Sequence, residues 1–238
     1  MKKALVIALL IIAAIPLLIG VAALPPHGDA DTPVQTHVSA RYLEKGVEEA
    51  RTVNIVTAVI LNYRGIDTNG EVTVIFTALA ASFAVLLPAA MARRAASAES
   101  DEAPPVSMVV LFVTRLLAPF IALFALYVML HGHSSPGGGF QGGAILGGLF
   151  VALSIVLGAE KVEPLLKSPF APWLRIAAPL AFVAMGVFGA LLTGFYLGFP
   201  QQEALRWASE AMVLIIEIGI GVGGAMIFAT LFAEMEAQ

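Results

Sequence analysis

The sequence predicts an all-α integral membrane protein of about six transmembrane helices, and three observations carry that prediction. Of its 238 residues, 59% are hydrophobic and 13% charged, against about 45–50% and about 25% in soluble domains. So few polar groups cannot clothe a soluble globule of this size, whereas a lipid-facing exterior needs none. Six stretches meet or approach the roughly 20 apolar residues that a hydrocarbon core about 30 Å thick requires. Charge gathers between them, most plainly in residues 92–106 (ARRAASAESDEAPPV).

The stretches are 4–24, 72–91, 108–130, 142–157, 176–198 and 211–232. The first follows Lys2 and Lys3, which favour a cytoplasmic N-terminus under the positive-inside rule. It also reads as a signal peptide, with small residues at Ala22 and Ala23. Its apolar run is longer than the 7–15 residues usual for that purpose, so a retained span is expected. Six crossings then place Arg93, Arg94, Lys161, Lys167 and Arg175 on the cytoplasmic side, with both termini. Arg41, Lys45, Arg51, Arg64 and Arg206 fall outside. The membrane expected for this multi-pass chain is the cell inner (cytoplasmic) membrane.

Before the second span, Val47, Ala50, Asn54, Ala58 and Leu61 recur at helical spacing over 41–63, which predicts a helix along the membrane surface or against a partner. Residues 63–70 (YRGIDTNG) then read as a turn, with Thr68 or Asn69 capping the second span. The small, charged, proline-containing linker divides the chain into a two-helix part (1–92), the linker itself (93–106) and a four-helix part (107–238). The fourth span is the shortest, with glycines at its start.

A net charge of −4 without a basic block leaves no footprint for nucleic acid. The absence of cysteine rules out disulfides, thiolate metal sites and cysteine nucleophiles. No nucleophile–base pair sits within the spans, and no cofactor is expected.

The most distinctive segment is 131–143, HGHSSPGGGFQGG, between the third and fourth spans. Its run Pro136, Gly137, Gly138, Gly139, Phe140, Gln141, Gly142 and Gly143 suggests a phosphate cradle, but the lysine and preceding strand of a P-loop are missing. Two readings stay open. One is a tight hairpin whose glycines pack against a neighbouring helix. The other is an ion vestibule on the outer face, with His131 and His133 titrating near neutral pH. No third histidine or cysteine lies nearby to complete a metal site.

Charges inside spans carry more weight, because one at the bilayer centre costs roughly 2.5–3.5 kcal/mol on insertion scales. Glu217 lies about 10 Å deeper along the last helix than Glu210, at a rise of about 1.5 Å per residue. With Glu203 the three are seven apart and share one face of a continuous helix, a carboxylate stripe running inward. Glu217 is then either the buried carrier of a proton or cation path, or a glutamate hydrogen-bonded to a partner subunit. Glu71 opens the second span four residues after Asp67, where the helix dipole favours acids. Arg115, about two turns into the third span, pairs with an acid of another subunit or snorkels to the headgroups. Small residues four apart (Gly143 and Gly147; Ala190, Gly194 and Gly198; Gly219 and Gly223) suit close helix packing in lipid.

The HGHSSPGGGFQGG string, with Arg115, Pro119 and the four-span layout of 107–238, resembles the B subunit of Mrp-type Na+/H+ antiporters. The same module occurs in membrane-bound hydrogenases and their relatives. Residues 54–71 (NIVTAVILNYRGIDTNGE) and the span after them resemble the C-terminal tail of the antiporters' large A subunit, which forms a separate small subunit in hydrogenase-type complexes. The resemblance implies a complex that exchanges protons for Na+ or another monovalent cation, with the other subunits, lipid, Na+ and protons as partners. It implies no enzymatic chemistry in this chain itself. Glu71 and Glu217 become the expected carboxylates of a cation path or inter-subunit joint, with Glu210, Asp67, His131 and His133 as further candidates. The alternative is the same module in a redox-driven complex such as a membrane-bound hydrogenase.

Overall fold

Why a chain so apolar stays ordered shows in how its helices divide between lipid and one another. In the computed structural model, which describes residues 2–96 and 106–236, the order is α1 (Lys2–Ala22), a π-helical turn (Val34–Val38), α2 (Ser39–Ala50), α3 (Ile55–Thr57, continued as a π-helical turn over Ala58–Tyr63), α4 (Gly65–Ala96), α5 (Met108–Leu130), α6 (Gly139–Leu157), α7 (Ala159–Leu166), α8 (Ala171–Arg175), α9 (Ala177–Thr193) and α10 (Arg206–Glu236). No strand occurs among the described residues. The protein is an all-α membrane protein. By length and composition α1, α5, α6 and the 203–236 stretch containing α10 are able to cross a bilayer, and α9 is a shorter apolar helix. The second predicted span lies within the 32-residue α4.

The chain forms two units, 1–44 and 45–238. In the first, α1 buries none of its apolar window. Leu10, Ile12, Leu17 and Leu18 are all exposed, a surface suited to lipid and not to water.

The second unit is built around α10. Gly139, Gly143 and Gly147 form an i, i+4, i+8 stripe on α6 that lies directly on Glu217, Gly221 and Ala225 of α10. A Cβ on Gly143 would stand 2.6 Å from the Gly221 carbonyl oxygen, and one on Gly147 would stand 2.9 Å from Phe228 Cβ. The opposite side of α10 packs on α9, where a Cβ on Gly219 would meet Ala181 Cβ at 2.6 Å. Gly142 turns toward α5, with Ala125 O only 2.7 Å from where its Cβ would lie. Backbones this close gain dispersion and are possible only without side chains between them.

Two clusters complete the unit. One joins Leu61 and Val72 to Phe182, Leu197, Phe199, Met212, Val213 and Ile216, and so ties α3 and α4 to α9 and α10. The other packs Val162, Leu166 and Ala171 on Met226 and Ala229. There Arg175 donates to Leu166 O at 2.9 Å and to Thr230 Oγ1 at 3.2 Å.

Several expected boundaries move. The single surface helix over 41–63 is instead two, because Arg51 adopts a left-handed backbone (φ 56°) and Asn54 restarts the chain as the cap of α3, accepting from Val56 N at 3.0 Å. The 63–70 turn shrinks to Arg64. α4 already begins at Gly65, Thr68 donates to Ile60 O at 2.6 Å, and Asn69 reaches Tyr196 Oη at 3.3 Å. The fifth span ends at Thr193 because Gly194 takes the left-handed cap (φ 84°). Gly194 and Gly198 therefore belong to a loop and not to a helix seam. The fourth span gains a turn at its start, since Gly139 already lies within α6. Residues 92–96 of the expected linker are helical in α4, and 97–105 lie outside the described residues.

Candidate functional site

The hairpin that connects α5 to α6 closes over one end of α10. α5 ends at Leu130, His131 caps it by donating its N–H to Tyr127 O, and Gly138 (φ 132°) turns the chain into α6. Gly138 N donates back to Val128 O at 3.1 Å. Beneath this hairpin sits Glu217, 3% exposed. A Cβ on Gly132 would collide with Glu217 Oε1, and one on Gly139 would collide with the Glu217 carbonyl. The glycines are thus what allows a carboxyl to be roofed so closely.

A second layer comes from the chain between α2 and α3. Thr57 Oγ1 donates to Gly132 O at 2.7 Å, the same hairpin glycine whose missing Cβ would meet Glu217 Oε1. Asn54 Nδ2 donates to Gly132 O at 2.7 Å and to Ser135 O at 2.9 Å. Asn54 N donates to His133 O at 3.2 Å, which also accepts from Thr52 Oγ1. Four donors from residues 52–57 therefore serve the hairpin's carbonyls, groups that a glycine turn leaves open. Glu217 Oε2 and His133 Nδ1 are buried without a partner among the described residues. An unpaired carboxylate in so enclosed a place costs several kcal/mol.

The other expected residues are distributed differently. Glu203 lies in a 3-10 turn ahead of α10 and pairs with Arg51 at 3.3 Å and Arg206 at 3.6 Å. Glu210 is exposed and pairs with Arg206 at 3.0 Å. The stripe is therefore interrupted: its outer carboxylates are neutralised by arginine and Glu217 stands apart. Asp67 pairs with Arg64 at 2.6 Å in the first turn of α4. Glu71 is exposed one turn further on. His131 is exposed and stacked on Tyr127, with ring centroids 4.3 Å apart. Pro136, Phe140 and Gln141 are exposed, whereas Gly138, Gly139, Gly142 and Gly143 are buried. Arg115 is exposed on α5 and enters no ion pair among the described residues. No metal cluster occurs among the described residues. Thr52 and Thr57 were not expected at the site. Asn54 carried a signal only as part of a helical period and of the 54–71 string.

Fold and site together define a class: a polytopic α-helical membrane protein that, among the described residues, encloses one carboxyl within its helix bundle. Residues 109–232 match the family model described as a domain related to the MnhB subunit of Na+/H+ antiporter. That match covers more than half of the chain, and the protein belongs to this MnhB-related family. Residues 8–104 match a second model, MbhE, the E subunit of MBH. The B subunit of the Na+/H+ antiporter of Bacillus subtilis (strain 168) is 34% identical over 110 residues, covering 45% of this chain and 77% of that protein. The A/B subunit of a probable K+/H+ antiporter of Rhizobium meliloti (strain 1021) is 24% identical over an alignment 189 positions long, which covers 71% of this chain and only 18% of that much longer relative. Among solved structures, a chain of the membrane-bound sulfane sulfur reductase, an archaeal respiratory membrane complex, is similar at a TM-score of 0.66 and 31% identity, over 98% of this chain and 97% of that one.

Proposed function

We propose that the chain is a multi-pass subunit of a multi-subunit monovalent cation/proton antiporter module, with Na+ as the expected cation. Within it the chain helps to form the cation path or the joint between subunits. One observation carries this reading. Glu217 is held almost fully buried beneath the hairpin with a free carboxyl oxygen, at a cost that a passing proton or cation offsets and a purely structural role does not. The names of the two antiporter relatives support it.

Residues 1–92 then correspond to the tail of an A subunit and 107–238 to a B subunit, joined through 93–106. The alignment to the A/B relative covers 71% of this chain, more than either part alone. Glu71, exposed on a spanning helix, serves the path from the side of a partner subunit, and Arg115 meets an acid of a partner or the headgroups. The membrane is the cytoplasmic one, with both termini inside. The chain performs no bond chemistry of its own.

The test is exchange in vesicles holding the complete complex. Glu217→Gln abolishes Na+- or K+-dependent proton movement, read with a pH-sensitive dye, while the complex still assembles. Full activity in that variant overturns the reading. A second reading places the same module in a redox-driven complex, favoured by the near-complete mutual coverage with a chain of a respiratory membrane complex. Co-purification of iron–sulfur subunits with the native chain separates the two.

A further inference from the structure

Gly138 differs from the glycines around it in what its bare Cα faces. At Gly137, Gly139 and Gly142 a Cβ would run into the backbone of Val128, Glu217 and Ala125, so those glycines serve close packing. At Gly138 a Cβ would stand 3.2 Å from Gln141 Oε1 and 3.6 Å from Glu217 Oε1, and outside its chain neighbours it would meet no other described atom within 4 Å. Two side-chain oxygens therefore border one spot, large enough for a single water or a small bare cation. The φ of 132° at Gly138 bars a side chain from it.

Both bordering atoms are acceptors. A glutamine Oε1 offers lone pairs and an ionised carboxylate only accepts, so what joins the two is a cation or a donating water. Glu217 is 3% exposed, and its second oxygen has no partner among the described residues. Gln141, in the first turn of α6, is exposed. The pair thus leads from the surface of the hairpin to the carboxyl beneath it.

We infer that Gln141 Oε1 and the Glu217 carboxylate form a two-oxygen site for a monovalent cation at the Gly138 turn. Gln141 is the ligand through which the cation reaches and leaves the carboxylate. The inference rests on the antiporter reading of Glu217 and adds a second ligand to it. Two protein oxygens are few, which suits passage: an ion must bind well enough to enter and weakly enough to leave. The exposed flank of Gln141 lets the ion keep part of its water. A proton on Glu217 needs no second oxygen. Gln141 therefore bears on the cation half of the exchange and not on the proton half.

The experiment measures initial exchange rates in vesicles bearing the complete complex against the concentration of the driving cation, Na+ or K+. Gln141→Leu keeps the bulk near the turn and removes the oxygen. Its KM for the cation rises by about tenfold, the size of one lost charge-assisted contact, while kcat holds, the split expected when a ligand used equally before and during passage is lost. Gln141→Glu puts an oxygen back with no amide to donate, and brings the KM to the wild-type value or below it. An unmoved KM in Gln141→Leu overturns the site. So does a raised KM in Gln141→Glu, which decides alone if the leucine variant does not assemble. Full exchange activity in Glu217→Gln instead defeats the transport reading itself, so the two failures are distinguishable.

Discussion

Glu203, Glu210 and Glu217 share a seven-residue spacing and meet three different fates. The first two find arginines at the end of the bundle, where water screens them and their pairs are worth little. The third has the glycines of the hairpin packed around it. Spacing identified the face, and Glu217 as the buried member follows from depth along the helix. Its roof was not legible, because Thr57 precedes it by 160 positions and has no periodic signature. Arg51 offers a direct test at this scale. Its left-handed backbone costs about 1–2 kcal/mol in a non-glycine residue, yet its guanidinium binds Gln201 O and Glu203. Arg51→Ala keeps the backbone cost and loses the anchor, lowering stability by about 2 kcal/mol, while Arg51→Gly loses about 1 kcal/mol less. Thermal unfolding in detergent ranks them, and an equal loss for both contradicts this division.

At the scale of elements, the α6–α10 seam decides how deep the hairpin sits. Within the seam the missing Cβ of Gly143 would stand 2.6 Å from Gly221 O, a backbone atom that cannot easily give way. Gly143→Ala is expected to destabilise the purified chain by about 1–3 kcal/mol, and Gly143→Leu to prevent assembly into the complex. Gly148, one residue past the seam and open on its side, is the control: Gly148→Ala leaves the melting temperature unchanged or slightly higher. Loss of stability in both variants would assign the effect to helix propensity and not to packing. Gly143 and Gly147 were legible as a small-residue pair. That Gly139 begins the same stripe was not, since the sequence placed it in a loop. The break at Arg51 was equally hidden. A regular apolar period through 47–61 describes a helix well until the hairpin's carbonyls offer Thr52, Asn54 and Thr57 something better to bond.

For the whole molecule, the proposed crossing pattern puts the 131–138 hairpin outside and residues 97–105 inside. The chain has no cysteine, so single replacements report cleanly. Ser134→Cys, on the exposed part of the hairpin, is labelled by an impermeant reagent from outside intact cells, and Ser100→Cys only after permeabilisation. The reverse pattern inverts the orientation.

By itself the sequence determined the membrane, the helical class, most spans to within a few residues, and the unusual hairpin string, because apolar length and local composition act on each segment independently of its neighbours. Only the tertiary structure decided that the hairpin closes over Glu217 of α10 and is itself held by residues 52–57. Hydrogen bonds between distant segments satisfy one another's exposed backbone groups, and no local pattern of residues encodes which segments those are.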